Sequence, residues 1–212
     1  MNRTEPSIAW GASDSEADLA RTKTALRAQL LGERNALAAD LRAAACQSIG
    51  RHLLDWQADS KVMTLAVYWP IRGEPDLTDA YRQLAQRGVQ LALPVVSGPA
   101  APLTFTAWTP GQPMLPDRFG VPVPAGLSAP LIPDAIAIPC VGINAQRYRL
   151  GYGGGMYDRT LALLPTVQTI GIAFDCARSD FAAAPHDVRL QALITESGYE
   201  EGTQPIACGA PV

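Results

Sequence analysis

Apolar residues recur at helical spacing in the first quarter of the chain. From Lys23 onward, leucines and one isoleucine follow one another at intervals of four, seven or eight positions, among charged and amide side chains: Leu26, Leu30, Leu37, Leu41, Ile49 and Leu53. Such intervals place the apolar side chains on one face of a helix. The pattern predicts one long or two shorter amphipathic helices, with Gly32 as a candidate kink.

Short and almost continuous apolar runs follow this helical region. KVMTLAVYW (61–69) is typical of a strand that is buried on both faces of a parallel sheet. After a turn, LTDAYRQLAQRG predicts a helix that ends at Gly88, and VQLALPVV predicts a second buried strand. Together these segments predict a β-α-β unit with a right-handed crossover.

The second half of the chain continues the alternation of strands and helices. LTFTAW (103–108) alternates like a strand with one less buried face, and the Pro- and Gly-rich residues 109–133 predict a loop. Three further strands and one helix are predicted at DAIAIP (134–139), MYDRTLALL (156–164), QTIGIAF (168–174) and QALITE (191–196). This order is that of an α/β domain with a largely parallel sheet.

The two ends of the chain show no clear hydrophobic period. We expect residues 1–18 to form a flexible leader, residues 19–212 to form a single domain, and the tail from Glu200 to be irregular. The leader lacks the basic flank and apolar run of a signal peptide, and no later apolar stretch is long enough to cross a bilayer. We therefore expect a cytoplasmic protein without membrane association.

Charge and cysteine content narrow the classes of partner. The chain carries 17 Lys and Arg against 20 Asp and Glu, a formal net charge of -3, and it has no Lys/Arg-rich block. This balance argues against a surface for nucleic acid or anionic membranes and favours small-molecule partners. The four cysteines, at positions 46, 140, 176 and 208, are too far apart for a zinc or redox motif, so we expect buried, reduced thiols.

The stretch RLGYGGGMYDR (149–159) is the densest chemical signal in the sequence. It lies between a predicted strand and a predicted helix and has glycines at 151, 153, 154 and 155, a layout that directs backbone N–H groups toward an anion. The dinucleotide fingerprint and the Walker A loop both require glycine at Met156, and Walker A then requires lysine at Tyr157. The alternative is a tight turn in which the glycines only supply positive φ.

Charged residues on both sides of the loop favour the anion-binding interpretation. Arg149 and Arg159 can neutralise phosphate oxygens, and Asp158 can hold Mg²⁺, a cation that is often shared between carboxylate and phosphate oxygens. Glycine, arginine and aspartate together indicate a site for a magnesium nucleotide.

The loop resembles the signature of the 5-formyltetrahydrofolate cyclo-ligase family, also called methenyltetrahydrofolate synthetases. The resemblance extends from about residue 20 to 198, in the family's order and spacing, over the Lys23-Thr-Ala-Leu-Arg27 opening with a later Arg34, VYWPIRGEPD, GVQLALP, FGVPVP, DAIAIP, TIGIAFD and HDVRLQALITE. It implies a three-layer α/β/α sandwich that converts 5-formyltetrahydrofolate and ATP into 5,10-methenyltetrahydrofolate, ADP and phosphate. We further expect a monomer that uses ATP as cosubstrate and Mg²⁺ as cofactor.

The resemblance also implies roles for individual residues. Lys23, Arg149 and Glu74 match catalytic positions, and Asp158 and Asp187 match the magnesium carboxylates. The implied ATP contacts are Lys23, Arg27, Arg149, Gly151, Tyr152, Gly153, Gly154, Gly155, Tyr157 and Asp158, and the implied folate contacts are Glu74, Trp69 and Tyr157.

Each isolated assignment has a simpler alternative. Glu74 and Asp187 are also typical of solvated turns or helix caps, and Lys23 of the polar face of a helix. His186 is adjacent to Asp187 in sequence, which says nothing about spatial pairing, so it receives no role.

Several positions depart from the family pattern. Asn144, Arg147, Val123 and Gln191 stand where acidic residues or glycine are usual, and Met156 replaces an aromatic residue. The loss of carboxylates at 144 and 191 raises a second hypothesis, a paralogue that binds folate or nucleotide without catalysis. A third hypothesis is an unrelated nucleotide-dependent transferase that uses the same loop with another acceptor.

Overall fold

The computed structural model describes residues 12–202, which form four α-helices and eleven β-strands. The helices are α1 (Ala12–Ala36), α2 (Ala39–Ser60), α3 (Thr78–Gln86) and α4 (Met156–Leu163). The strands are β1 (Thr64–Ala66), β2 (Gln90–Val96), β3 (Leu103–Trp108), β4 (Met114–Pro116), β5 (Pro122–Pro124), β6 (Ala135–Pro139), β7 (Gly142–Ile143), β8 (Arg149–Leu150), β9 (Gln168–Ile172), β10 (Ala192–Thr195) and β11 (Gly198–Glu201). None of these helices is long and apolar enough to cross a membrane.

Seven strands form one sheet in the order β11-β10-β9-β6-β1-β2-β3. The five central strands are parallel, with Leu65 opposite Leu91 and Ile138 opposite Gly171, whereas β3 and β11 are antiparallel to their neighbours. The β-α-β unit is confirmed, because β1 and β2 pair in parallel and α3 connects them.

Helices cover both faces of the sheet. Alternate residues of each buried strand point to opposite sides, so Leu65 and Val67 pack with α2 and α3, while Ala66 packs in the core that contains Leu161 of α4. The predicted three-layer α/β/α sandwich is therefore confirmed.

Helix α1 covers the segment that carries the glycine loop. Leu30 of α1 packs with Val141, which precedes the short β7–β8 hairpin after β6, and with Leu150 of β8. Because this contact fixes α1 on the hairpin, basic side chains of the helix lie beside the loop that follows β8.

The structure corrects several predicted boundaries. Helix α1 begins at Ala12, within the predicted leader, and residues 1–11 lie outside the described residues. It continues through Gly32 and ends at Ala36, where Nη2 of Arg42 donates to the carbonyl oxygens of Arg34 (2.7 Å) and Asn35 (3.4 Å). Gly32 therefore does not end the helix, and Arg42 satisfies carbonyls at the actual end of α1.

Three strands occur in segments where irregular chain was predicted. The 109–133 loop contains the β4–β5 hairpin, in which the Asp117 carboxylate accepts the N–H groups of Phe119 (2.8 Å) and Val121 (2.9 Å). The predicted irregular tail begins inside β11, which pairs with β10, and the chain after Gly202 lies outside the described residues.

Candidate active site

The glycine loop joins β8 to α4 at the carboxyl edge of the sheet. Gly153 (φ +96°) and Gly155 (φ +61°) occupy the left-handed region, and Gly155 is the residue that precedes the first turn of α4. Two arginines hold the loop carbonyls: Nε of Arg27 donates to Gly151 (2.8 Å) and Nη2 of Arg159 donates to Gly154 (2.7 Å). The glycines thus do supply positive φ, and the loop is also surrounded by cations.

Arg149 is a buried cation paired with Asp158. Its Nη2 donates to Oδ1 of Asp158 (2.7 Å), its Nη1 donates to the carbonyl of Val188 (3.0 Å), and its guanidinium lies 5.9 Å from the ring centre of Tyr157. Oδ1 of Asp158 also accepts the N–H of Val188 (3.2 Å). This pair fixes the start of α4 against the segment that contains Asp187.

Lys23 of α1 forms the second ion pair, with Asp187. Its Nζ lies 2.5 Å from Oδ2 of Asp187, and the same oxygen accepts the N–H of Ala184 (2.8 Å). Burial by itself would raise the pKa of Asp187, but the hydrogen bonds from Lys23 and Ala184 outweigh it and lower the pKa. Asp187 is thus more than a solvated turn residue, whereas His186 is 80% exposed and its Nε2 lies 3.8 Å from Asp187.

The two carboxylates converge, because Asp158 contacts the backbone of the residue next to Asp187. Mg²⁺ in phosphate sites is usually held by one or two carboxylates together with phosphate oxygens and waters. Among the described residues, no group of three or more His, Cys, Asp and Glu side chains can hold a metal ion. Asp158 and Asp187 therefore fit a magnesium ion that is shared with a nucleotide, not an ion held by protein alone.

Glu74 is a buried carboxylate on the turn that follows β1. It is 5% exposed, its Oε1 accepts the hydroxyl of Tyr152 (2.8 Å), and its Oε2 accepts the N–H of Ile71 (2.9 Å). Burial raises the pKa of Glu74, although the hydrogen bonds from Ile71 and Tyr152 and the nearby Arg34 and Arg72 oppose the shift. Neither of the simpler roles, a solvated turn residue or a helix cap, describes this environment.

Tyr152 connects Glu74 to the glycine loop. Burial raises the pKa of Tyr152 to about 12, so its hydroxyl remains a hydrogen-bond donor at neutral pH. Burial likewise raises the pKa of Tyr157, which contacts Arg149 through its ring. The side chain of Tyr152 faces the Glu74 turn, whereas that of Tyr157 faces the Arg149–Asp158 pair.

Trp69 packs against a second tryptophan. Its ring packs edge to face on Trp108, with 6.1 Å between centroids, and it lines a cavity of about 220 Å³ with Thr78, Arg82, Trp108, Pro110, Gly111, Gln112 and Met114. A larger cavity of about 430 Å³ lies at the opposite, amino edge of β9 and β10, away from the loop. The structure brings together the other predicted site residues and leaves Trp69 in its own aromatic pocket.

The departures at 144, 147 and 191 have local structural roles. Asn144 is buried; its Oδ1 accepts the N–H groups of Gln146 (3.1 Å) and Tyr148 (2.9 Å), and its Nδ2 donates to the Phe181 carbonyl (3.0 Å). Arg147 adopts φ +64°, a conformation that favours glycine, and its Nε donates to the Leu190 carbonyl (3.2 Å). Oε1 of Gln191 accepts the N–H of Thr169 (3.2 Å) and lines the larger cavity.

Of the three described cysteines, only Cys140 is fully buried. Burial raises the pKa of its thiol to about 12, as expected for a structural residue and not for a nucleophile. Cys46 and Cys176 are half-buried free thiols, so the expectation of buried thiols is wrong for them, and Cys208 lies outside the described residues.

Sequence reasoning missed part of the site. Arg34 donates to Tyr152, Arg72 lies 5.0 Å from the Tyr152 ring centre, and the backbone of Val188 connects Arg149 to Asp158. Arg34 was visible as part of the helix motif, but no local pattern shows which distant side chain an arginine will meet. Any residue type can make backbone contacts such as those of Val188, so the sequence does not indicate them.

The sequence comparisons with known proteins agree on one family. A profile of the 5-formyltetrahydrofolate cyclo-ligase family matches residues 20–196. The protein of Mycolicibacterium smegmatis named 5-formyltetrahydrofolate cyclo-ligase is 31% identical over 187 residues, which cover 82% of this chain and 94% of the relative. The protein of the same name from Mycoplasma pneumoniae is 30% identical and covers 82% of this chain and 98% of its own.

Solved structures agree with the sequence comparison. The 5,10-methenyltetrahydrofolate synthetase of Aquifex aeolicus superposes with a TM-score of 0.73 at 26% identity, over 89% of this chain and 96% of its own. The 5,10-methenyltetrahydrofolate synthetase of Mycoplasma pneumoniae superposes with a TM-score of 0.68 at 29% identity, over 82% of this chain and 98% of its own.

Proposed function

Since the chain belongs to the 5-formyltetrahydrofolate cyclo-ligase family, we propose that it closes the folate ring at the expense of ATP, with Mg²⁺, at the site around the glycine loop. The observation that carries this proposal is the meeting of two cation–carboxylate pairs, Lys23–Asp187 and Arg149–Asp158, beside that loop. A site with paired cations and carboxylates suits a ligand that brings both phosphate and a divalent cation.

The formyl oxygen is a poor leaving group until ATP phosphorylates it. The formyl oxygen of 5-formyltetrahydrofolate attacks the γ-phosphorus, and ADP leaves. N10 then attacks the activated formyl carbon and loses its proton, a C–N bond forms, and the C–O bond breaks as phosphate departs. The products are 5,10-methenyltetrahydrofolate, ADP and phosphate, and the protein acts mainly by positioning and by charge stabilisation.

Lys23 and Arg149 are the phosphate-binding cations of this proposal. Each is almost fully buried and already directed at a carboxylate, so each is preorganised to meet negative oxygens. Arg27 acts indirectly. Its Nε donates to the Gly151 carbonyl and so fixes the loop, whose N–H groups would face the nucleotide.

Asp158 and Asp187 are the residues that would hold Mg²⁺. The ion supplies charge neutralisation of the phosphate oxygens when bound. Each carboxylate is paired with a cation in this structure, so a bound nucleotide would give Lys23 and Arg149 phosphate oxygens as partners and would leave Asp158 and Asp187 available to the ion.

Glu74 is the folate-side residue of this proposal. As a buried acceptor that already receives two hydrogen bonds, it orients the folate by accepting an N–H of the substrate. Trp69 and Tyr157 remain proposed folate contacts, with Trp69 offering an aromatic wall next to Trp108.

The reason for the second hypothesis, a paralogue that binds folate or nucleotide without catalysis, no longer holds. It arose from the missing carboxylates at 144 and 191, and both of these side chains satisfy nearby backbone groups instead of facing the ion pairs. A cytoplasmic location and a monomeric state stay predictions.

A direct assay tests the proposal. Purified protein, 5-formyltetrahydrofolate and Mg-ATP should produce the near-ultraviolet absorbance of the methenyl product, and omission of ATP should abolish it. Arg149→Met and Asp158→Asn should remove turnover in a chain that still folds, while Arg51→Met, at an exposed arginine that contacts Ser48, serves as the matched control. Undiminished turnover in both site variants would reject the assignment.

A further inference from the structure

One arginine outside the predicted set of site residues connects the glycine loop to the Glu74 turn. Arg34 of α1 is 3% exposed, and its Nη2 donates both to the Tyr152 hydroxyl (2.8 Å) and to the Arg72 carbonyl (2.9 Å). The Tyr152 hydroxyl in turn donates to Oε1 of Glu74 (2.8 Å). A continuous chain of hydrogen bonds therefore runs from helix α1 through the glycine loop to the Glu74 turn.

Arg34 and Glu74 hold the Tyr152 hydroxyl from two sides. A guanidinium can only donate hydrogen bonds and an ionised carboxylate can only accept them, so the Tyr152 oxygen accepts from Arg34 and its single hydrogen goes to Glu74. Without Arg34, the hydroxyl keeps only one of these two partners. The arginine thus fixes the position of the hydroxyl that donates to Glu74.

The position of Arg34 is costly, which argues that packing alone does not explain it. Among the described residues, its Nε and Nη1 are buried without a hydrogen-bond partner. A buried charge needs compensation, and Glu74 supplies it, because Arg34 is one of the cations that oppose the rise in the Glu74 pKa.

The Glu74 turn is also held in an unusual backbone conformation. Arg72 (φ +50°) and Gly73 (φ +77°) both lie in the left-handed region. Arg34 holds the Arg72 carbonyl, and Nη1 of Arg42 holds the Gly73 carbonyl (3.0 Å). Arg42 therefore supports the same turn, and its Nη2 also donates to the backbone carbonyl of Arg34 (2.7 Å), but it makes no hydrogen bond to Tyr152, so it serves as a stringent control for support of the turn without the Tyr152 contact.

We propose that Arg34 is a positioning residue that fixes the Tyr152–Glu74 hydrogen bond and thereby couples the nucleotide loop to the folate turn. The inference rests on the proposed function, in which the glycine loop takes the nucleotide and Glu74 faces the folate. Nucleotide that orders the loop then also orders Glu74, so each ligand strengthens the binding of the other by the same factor.

The coupling is measurable without turnover. Isothermal titration calorimetry gives the affinity for 5-formyltetrahydrofolate in the presence and absence of a non-hydrolysable ATP analogue with Mg²⁺. In the wild-type protein the analogue should tighten folate binding by roughly 5- to 150-fold, the usual range of such coupling. Arg34→Met and Tyr152→Phe should each reduce this factor to nearly one, and the double variant should reduce it no further, because both act through one hydrogen bond.

The control separates positioning from general support of the turn. Arg42→Met should lower the melting temperature but keep the coupling factor. Tyr152→Phe keeps the ring and deletes only the hydroxyl, so it remains informative if Arg34→Met does not fold. The inference is overturned if Tyr152→Phe retains the wild-type factor, if the effects of the two variants add, or if Arg42→Met loses the coupling equally.

The outcome also distinguishes this inference from the function on which it rests. A wild-type protein that binds both ligands and forms the methenyl product but shows no coupling overturns the inference alone. A wild-type protein that binds neither ligand overturns both.

Discussion

The ion pair between Lys23 and Asp187 offers the sharpest test of how the site is built. Removing one partner of a buried pair typically costs about 3–5 kcal/mol, whereas an exposed pair contributes roughly 0.2–1 kcal/mol. The side chains of Lys23 and Asp187 are 10% and 13% exposed, and the Ala184 N–H still bonds Asp187 when Lys23 is gone. We therefore expect Lys23→Met to cost about 2 kcal/mol, which lowers the melting temperature by about 4–8 °C.

The same helix provides a matched control two residues earlier. Arg21 pairs with Asp18 at 2.5 Å, but the two side chains are 76% and 70% exposed. Arg21→Met should change the free energy of unfolding by no more than about 0.5 kcal/mol. Urea denaturation of both variants and of the wild type measures the difference directly.

The dependence on pH follows from the lowered pKa of Asp187. A carboxylate with a lowered pKa stabilises the folded state above its ordinary value of 3.8 and loses that contribution as the pH falls through the folded pKa. The gap in stability between wild type and Lys23→Met should therefore be full at pH 7 and shrink below about pH 4. Equal costs for Lys23→Met and Arg21→Met, or a gap that does not depend on pH, would refute the burial argument.

Three further predictions concern the loop and its neighbours. Asn144→Asp should cost about 1–3 kcal/mol in urea denaturation, because a carboxylate cannot donate to the Phe181 carbonyl; a more stable variant would contradict this. Gly153→Ala should cost about 1–2 kcal/mol because of its positive φ, whereas Gly154→Ala, which lacks one, should stay within about 0.5 kcal/mol; equal costs in thermal unfolding would show that φ does not matter. Glu74→Gln should lower the melting temperature at pH 7, because an amide nitrogen cannot accept one of the two hydrogen bonds that Oε1 and Oε2 receive and because buried Arg34 loses its counter-charge; a variant at least as stable as the wild type would contradict this.

Most of the fold was predictable because it depends on local patterns. The central strands are continuous apolar runs bounded by turn residues, and α3 ends at Gln86, two residues before the Gly88 (φ +87°) that its sequence indicated as the stop. The break between α1 and α2 was not predictable from Gly32, since a long-range cap by Arg42 sets the end of α1. Strand β11 has no apolar run of its own and exists because β10 offers it a partner.

The site was predictable as a set of residues but not as a set of contacts. The family pattern selected Lys23 and Asp187, which are 164 positions apart, but it did not indicate that they form an ion pair. Nor did it connect Tyr152 to Glu74, 78 positions away. Pairings of this kind depend on how α1 and the turn after β1 meet the loop, which is a property of the tertiary structure.

The position of β11 has a consequence for which edge the sheet exposes. A parallel sheet that ended at β10 would expose the edge of Ala192–Thr195, four buried residues with unpaired backbone groups. The outer strand instead presents Tyr199 and the carboxylates of Glu200 and Glu201, which are exposed and charged. We expect a chain shortened before Gly198 to lose this cover and to pair with other chains through the exposed edge of β10.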